Sequence, residues 1–149
     1  MDIQTFLAQA VRLEQDAEAG YSTLVGLTKA KGDHEATVFF EEMVGFSRLH
    51  RETAMKRAGF QTMDDVSSVL VDLPEGADET PAPEELVSPL NIEGAMALAL
   101  GAEKRAFVFY EGVARDTANT EIRALAEEFA AEERSHVLAL ERFAGLKPY

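Results

Sequence analysis

Two stretches decide how this chain is read: Ala10-Val11-Arg12-Leu13-Glu14-Gln15-Asp16-Ala17-Glu18-Ala19-Gly20-Tyr21 and Ala99-Leu100-Gly101-Ala102-Glu103-Lys104-Arg105-Ala106-Phe107-Val108-Phe109-Tyr110. Both carry Ala, Glu, Ala and Tyr at the same spacings, so the chain contains an internal repeat. Apolar residues recur every three or four positions, the period of a helix that buries one face. The glutamates fall on that face. Glu14 follows Ala10 by four residues and precedes Ala17 by three, and Glu103 has the same relation to Ala99 and Ala106. A carboxylate facing a core costs several kcal/mol unless it takes up a proton or meets a cation. Two of them at matched positions ask for a compensating cation.

Outward from these stretches, the pattern predicts four long helices at about 2–31, 33–58, 91–117 and 119–144. Asp2 is a good N-cap for the first, and Gly32 is its stop. Its stripe reads Ile3, Phe6, Ala10, Leu13, Ala17, Tyr21 and Leu24. The second runs from Asp33 to Gly59 with Phe39, Met43, Phe46, His50 and Ala54 on one face. The third starts at Asn91 and carries Met96, Ala99, Ala106, Tyr110 and Val113. The fourth carries Ile122, Phe129, Leu140 and Phe143, with Gly145 as its stop and Pro148 beyond. Met43, Met63 and Met96 read as packing residues and His34 as a surface residue. Phe107, Val108 and Phe109 cannot all face one core, which points to a partner chain and a homodimer.

The connections set the topology. Helices one and two are joined almost directly, as are three and four, so each pair must pack antiparallel. Between the pairs lies a possible short helix, about 63–71, with Thr62 and Asp65 at capping-box positions. Residues 73–89 then hold four of the five prolines, Pro74, Pro81, Pro83 and Pro89, and several acids. Such an extended connection is long enough to cross a bundle. Two antiparallel helix hairpins joined by a long crossover form the ferritin-like variant of the all-α four-helix bundle, here as a single domain over 1–149.

The fourth helix supplies more donors. In Phe129-Ala130-Ala131-Glu132-Glu133-Arg134-Ser135-His136, Glu133 and His136 stand one turn apart on the apolar stripe. Glu132 reads instead as part of a solvated face. Glu41-Glu42 precedes His50 as Glu127-Glu128 precedes His136, so His50 is the counterpart of His136 and Ser47 that of Glu133. Glu14, His50, Glu103, Glu133 and His136 all fall near the middles of their helices and converge at one level of an antiparallel bundle. Oxygen and imidazole donors without thiolate suit iron or manganese best, with zinc as a further candidate.

Composition narrows the remaining classes. The chain of 149 residues has 46% hydrophobic and 28% charged residues, ordinary for a globular protein. A formal net charge of −13 repels phosphate backbones and argues against nucleic-acid binding. The lack of cysteine removes disulfides, thiolate metal sites and cysteine nucleophiles. No targeting segment or membrane span is visible, and a cytoplasmic location is the expectation.

With these residues in view, the chain resembles the ferritin-like di-iron carboxylate superfamily, most of all rubrerythrin-type domains, without a rubredoxin module. The pattern is one Glu from each of two helices and Glu-x-x-His from each of two others. Five of its six positions match, the exception being Ser47. The resemblance implies Glu14 and Glu103 as outer carboxylates, His50 and His136 as terminal imidazoles, and Glu133 as a bridging carboxylate. Tyr21 and Tyr110 would hydrogen-bond and orient ligand carboxylates, although packing alone also explains them. Two iron ions are implied, with one as the alternative, and the implied chemistry is Fe(II) oxidation by O2 or peroxide. Rubrerythrins usually carry a further glutamate one turn after the third-helix ligand, and here that position is Ala106. Ser47 leaves a gap that a water, an exogenous anion or a nearby acid such as Glu18 or Glu111 would fill. The competing reading is a degenerate bundle that holds one metal or none and acts as a structural or binding protein.

Overall fold

The computed structural model describes residues 1–70 and 91–146. It is an all-α, ferritin-like bundle with no strand among the described residues. Its elements are α1 (Ile3–Lys31), α2 (His34–Ala58), α3 (Met63–Leu70), α4 (Ile92–Asp116) and α5 (Thr120–Leu146). The proline-rich connection lies outside the described residues.

Local chemistry sets the helix ends. Asp2, Asp33 and Asn91 each accept a hydrogen bond from the amide of the third residue onward, satisfying donors that the helix leaves free. Asn119 does the same for α5, accepting from Glu121 and Ile122. Gly32 and Gly59 close α1 and α2 at φ 78° and 76°, a left-handed conformation that glycine adopts without strain. The α3 cap is reciprocal. Asp65 N donates to Thr62 Oγ1 at 3.3 Å, and the Asp65 carboxylate accepts from Thr62 N at 3.1 Å. Gly145 differs from expectation: α5 continues through it to Leu146, because its backbone never turns left-handed.

α1 and α2 form one antiparallel hairpin, tied at its open end by Gln4 Nε2 donating to Ala58 O at 3.3 Å. Near its turn, Thr37 Oγ1 lies 3.0 Å from Thr28 Oγ1. α4 and α5 form the other, and α1 packs across α4 and against α3. The apolar interior is divided. One cluster gathers Phe6, Val11, Tyr110, Ile122 and Phe129, with α3 contributing Val66. The other gathers Tyr21, Leu24, Phe40, Met96, Leu140 and Phe143, where Phe39 stacks on Phe143 with ring centroids 4.2 Å apart. Between them lie the buried acids and imidazole of the middle turns. Phe46 departs from its expected core position and is 48% exposed. Of the consecutive trio, Phe107 and Phe109 pack on the first cluster while Val108 is 62% exposed.

Candidate metal centre

The helices bring the five predicted donors to one polar layer. Glu14, Glu103, Glu133 and His136 are buried, and His50 is partly buried. Glu103, Glu133 and His136 each present a ligand atom within 4.8 Å of the others. His136 Nδ1 lies 3.3 Å from Glu103 Oε2 and 3.7 Å from Glu133 Oε2. His50 Nδ1 lies 3.6 Å from Glu14 Oε1. The imidazoles face each other in near-parallel planes, centroids 5.5 Å apart. Each histidine therefore pairs with the outer glutamate of its own hairpin. Glu133 stands beside both Glu14 and Glu103, close enough to share a proton with either.

Burial governs the protonation of this layer. It raises Glu14 to about 7, helped by the charge of Glu103 and opposed by Glu133 and His136. It raises Glu103 to about 8, with Glu133 adding to the effect. Glu133 is raised for the same primary reason. For His136 burial works against the charge, yet the adjoining Glu103 and Glu133 outweigh it and lift the imidazole to about 10. The acids are thus crowded, desolvated and partly protonated, a state that an added cation would relieve.

The supporting side chains match expectation in one half and not in the other. Tyr21 donates its phenol to Glu103 Oε1 at 2.8 Å, across from one hairpin to the other. The repeat places Tyr110 to do the same for Glu14, but its buried hydroxyl has no hydrogen-bond partner. Ser47 is fully buried and its Oγ also lacks a partner. Buried polar atoms are rarely left this way. His50 Nδ1, Glu103 Oε2 and His136 Nδ1 share the condition. Of these five orphaned atoms in one layer, the two imidazole nitrogens and the Glu103 oxygen suit a hard or borderline cation and fit a metal held there.

Three acids differ from the sequence reading. Glu18 does not fill the gap at Ser47, because its two carboxylate oxygens are held at 3.1 Å by Arg48 and Arg51. Glu111 is exposed. Glu132, read as part of a solvated face, is half-buried, with Oε2 3.5 Å from His50 Nε2. It lines a cavity of about 10 Å³ together with Glu14, His50 and Tyr110. Its signal was available: Glu132 sits four residues before His136, and its repeat counterpart, Phe46, sits four before His50. Phe46 stacks on His136 at 6.1 Å, so both positions reach the histidine of the opposite hairpin.

Together these features define a ferritin-like bundle with an acid–imidazole layer set between two apolar clusters. The sequence matches the family described as Rubrerythrin over residues 5–144, and the chain belongs to that family. The structure is also similar to the crystal structure of an uncharacterized conserved protein from Magnetospirillum magnetotacticum MS-1. The TM-score is 0.78 and the identity 26%, and the match covers 100% of this chain and 97% of that one. No curated protein matches the chain. Among the described residues, no helix is long and apolar enough to cross a membrane.

Proposed function

We propose that the chain is a non-haem di-iron protein that oxidises Fe(II) with O2 or peroxide, in iron handling or peroxide defence in the cytoplasm. The observation that carries this reading is the buried cluster of Glu103, Glu133 and His136, mirrored by Glu14 and His50 across Glu133. Glu103 and His136 would hold one ion, Glu14 and His50 the other, and Glu133 would serve both. Iron held there would supply the electrons for reducing O2 or peroxide. The chain's own part is to position and to exclude water. Tyr21 fixes one oxygen of Glu103 and so leaves the other facing His136. The apolar clusters would limit the access of water to Glu103, Glu133 and His136, which are buried. Protons held by Glu14 and Glu103 in the metal-free protein must leave when a cation enters, so uptake should release protons.

The test is metal content by mass spectrometry after anaerobic Fe(II) loading and desalting, followed by oxidation in air. Two irons per chain are expected, with oxidation well above that of a His50→Ala/His136→Ala variant. Equal rates in the two proteins would refute the catalytic reading. Ser47 favours a second reading, a half-site with one metal and a structural or binding role. It predicts one iron, rising to two in Ser47→Glu. Manganese or zinc in place of iron would show in the same measurement. Exposed Val108 and Phe46 support a homodimer, which analytical ultracentrifugation would test.

A further inference from the structure

We propose that the outward face of α2 is the surface on which a second copy of this chain docks, with the two α2 helices antiparallel about Leu49. The inference deepens the homodimer reading and rests on it. Phe46 and Leu49 are 48% and 58% exposed and stand one turn apart. Elsewhere on the long helices such side chains stand alone among charges, Val108 between Lys104 and Glu111 and Leu138 between Arg134 and Arg142. Single surface apolar residues are ordinary, whereas adjoining ones mark a contact. Gly45 lies one turn before Leu49 on the same face, and a Cβ there would meet nothing within 4 Å. Nothing inside the chain requires glycine at this mid-helix position, where it is a poor helix former, but it lets a neighbouring backbone come close.

The charges select the partner. In Glu41-Glu42-x6-Leu49-x6-Lys56-Arg57, two acids and two bases are placed symmetrically about Leu49, and all four are exposed. Glu42, Leu49 and Lys56 follow one another at seven residues, two helical turns, so they share one face. A two-fold axis at Leu49 sets Leu49 against its own copy, Gly45 against the partner's Thr53 and Glu42 against the partner's Lys56, each contact made twice. The helix dipole accounts for bases in the last turn of α2 but not for Glu41 and Glu42, which lie two turns inside it. Arg57 also meets Glu128 at 3.4 Å, so Lys56 is the clearer of the two bases. Opposite charges at the two ends of such a crossing fix its direction and reject a parallel one. The face also adjoins the polar layer. Phe46 stacks on His136 at 6.1 Å while half exposed, so a second copy seated here would cover the layer on that flank.

The experiment is analytical ultracentrifugation of the full chain at low salt, with circular dichroism to confirm that each variant keeps its helices. The unmodified chain should be a dimer. Leu49→Glu should weaken it by about 30-fold or more, the effect of losing a central contact, and Val108→Glu should leave it unchanged. Two charge-reversed variants test the direction. Glu41→Lys/Glu42→Lys makes both ends of the crossing basic, and Lys56→Glu/Arg57→Glu makes both acidic, so each alone should be monomeric. Mixed in equal amounts they should form a one-to-one dimer, because the acids of one then meet the bases of the other. Adding Leu49→Glu to both should abolish that mixed dimer. A dimer lost in Val108→Glu and kept in Leu49→Glu overturns the α2 face and leaves the homodimer standing. Reversed variants that stay monomeric when mixed, or that still pair with Leu49→Glu in both, overturn the antiparallel crossing at Leu49. An unmodified chain that sediments as a monomer overturns the face and the homodimer together.

Discussion

The two halves of the polar layer descend from one repeat, yet they are finished differently. In the α4/α5 half, His136 sits between two carboxylates, Glu103 is fixed by Tyr21, and Phe46 covers the imidazole. In the α1/α2 half, His50 meets Glu14 and Glu132, Tyr110 has no partner, and Ser47 stands where the repeat would put an acid. The first half keeps two orphaned buried atoms, Glu103 Oε2 and His136 Nδ1, but Tyr21 already fixes its glutamate. The second is open, with three orphaned buried atoms: Ser47 Oγ, His50 Nδ1 and Tyr110 OH. Preorganised donors lose less freedom when they bind, so the two halves should differ in affinity by more than their ligand counts alone imply.

The largest effect should come from the residue that the halves share. Glu133→Ala removes the carboxylate that stands between Glu14 and Glu103, so metal should be lost from both halves, which metal content after loading would show. If one ion survives, the halves are independent and Glu133 belongs to the α4/α5 side only. Ser47→Glu should erase much of the difference between the halves. It buries a further carboxylate at a fully buried position, so the metal-free protein should lose several kcal/mol. Metal should restore most of that loss, as read by chemical denaturation with and without Co(II). A loss that metal fails to restore would point to overpacking instead.

The protonation of the layer gives the next effect. Glu14 and Glu103 have folded-state pKa values raised from 4.5 to about 7 and about 8. Their contribution to stability is complete below 4.5 and is lost as pH rises through those values. His136, raised from 6.5 to about 10, adds in the same direction, contributing fully below 6.5 and fading toward 10. The metal-free protein should therefore become less stable from about pH 5 to about pH 10, by a few kcal/mol. Net charge of −13 adds repulsion with the same sign, so Glu103→Gln is the needed control. Denaturation midpoints should fall less steeply in that variant. An equal slope would assign the dependence to the surface.

The bundle was legible because its signals are local and repeated: caps at Asp2, Asp33 and Asn91, left-handed stops at Gly32 and Gly59, and stripes of period 3.6. The level at which Glu14, Glu103, Glu133 and His136 meet followed from helix midpoints and hairpin geometry. Two kinds of information were not local. Phe46 was placed on the core by its spacing, but the stripe of α2 is narrow enough to leave it half outside. Glu132 was read as solvated because it neighbours Glu133, and neighbours on a helix face different ways. Its contact is with another hairpin, so its role depends on how α5 is rotated against α2. Glu18 failed as a substitute for the same reason, since Arg48 and Arg51 on α2 claim it.

The smallest effect is the most pointed comparison, because it uses the same substitution twice. Tyr21 and Tyr110 occupy equivalent repeat positions, and both are almost completely buried. Both phenols are pushed well above their ordinary range, first by burial and then by the charge of nearby glutamates, Glu103 for Tyr21 and Glu14 for Tyr110. Neither ionises near neutral pH, so each acts as a neutral donor or as packing. Tyr21→Phe deletes a 2.8 Å bond to a buried carboxyl and should cost about 1–3 kcal/mol in the metal-free protein. Tyr110→Phe deletes a hydroxyl with no partner and should be nearly neutral or slightly stabilising. Metal should change this ranking if an ion draws Glu14 toward Tyr110, because the second phenol would then gain its acceptor. Denaturation of both variants, each with and without Co(II), reads all four values. Equal losses in the metal-free state would mean that the two halves are alike in solution and that the asymmetry of the layer reduces to Ser47.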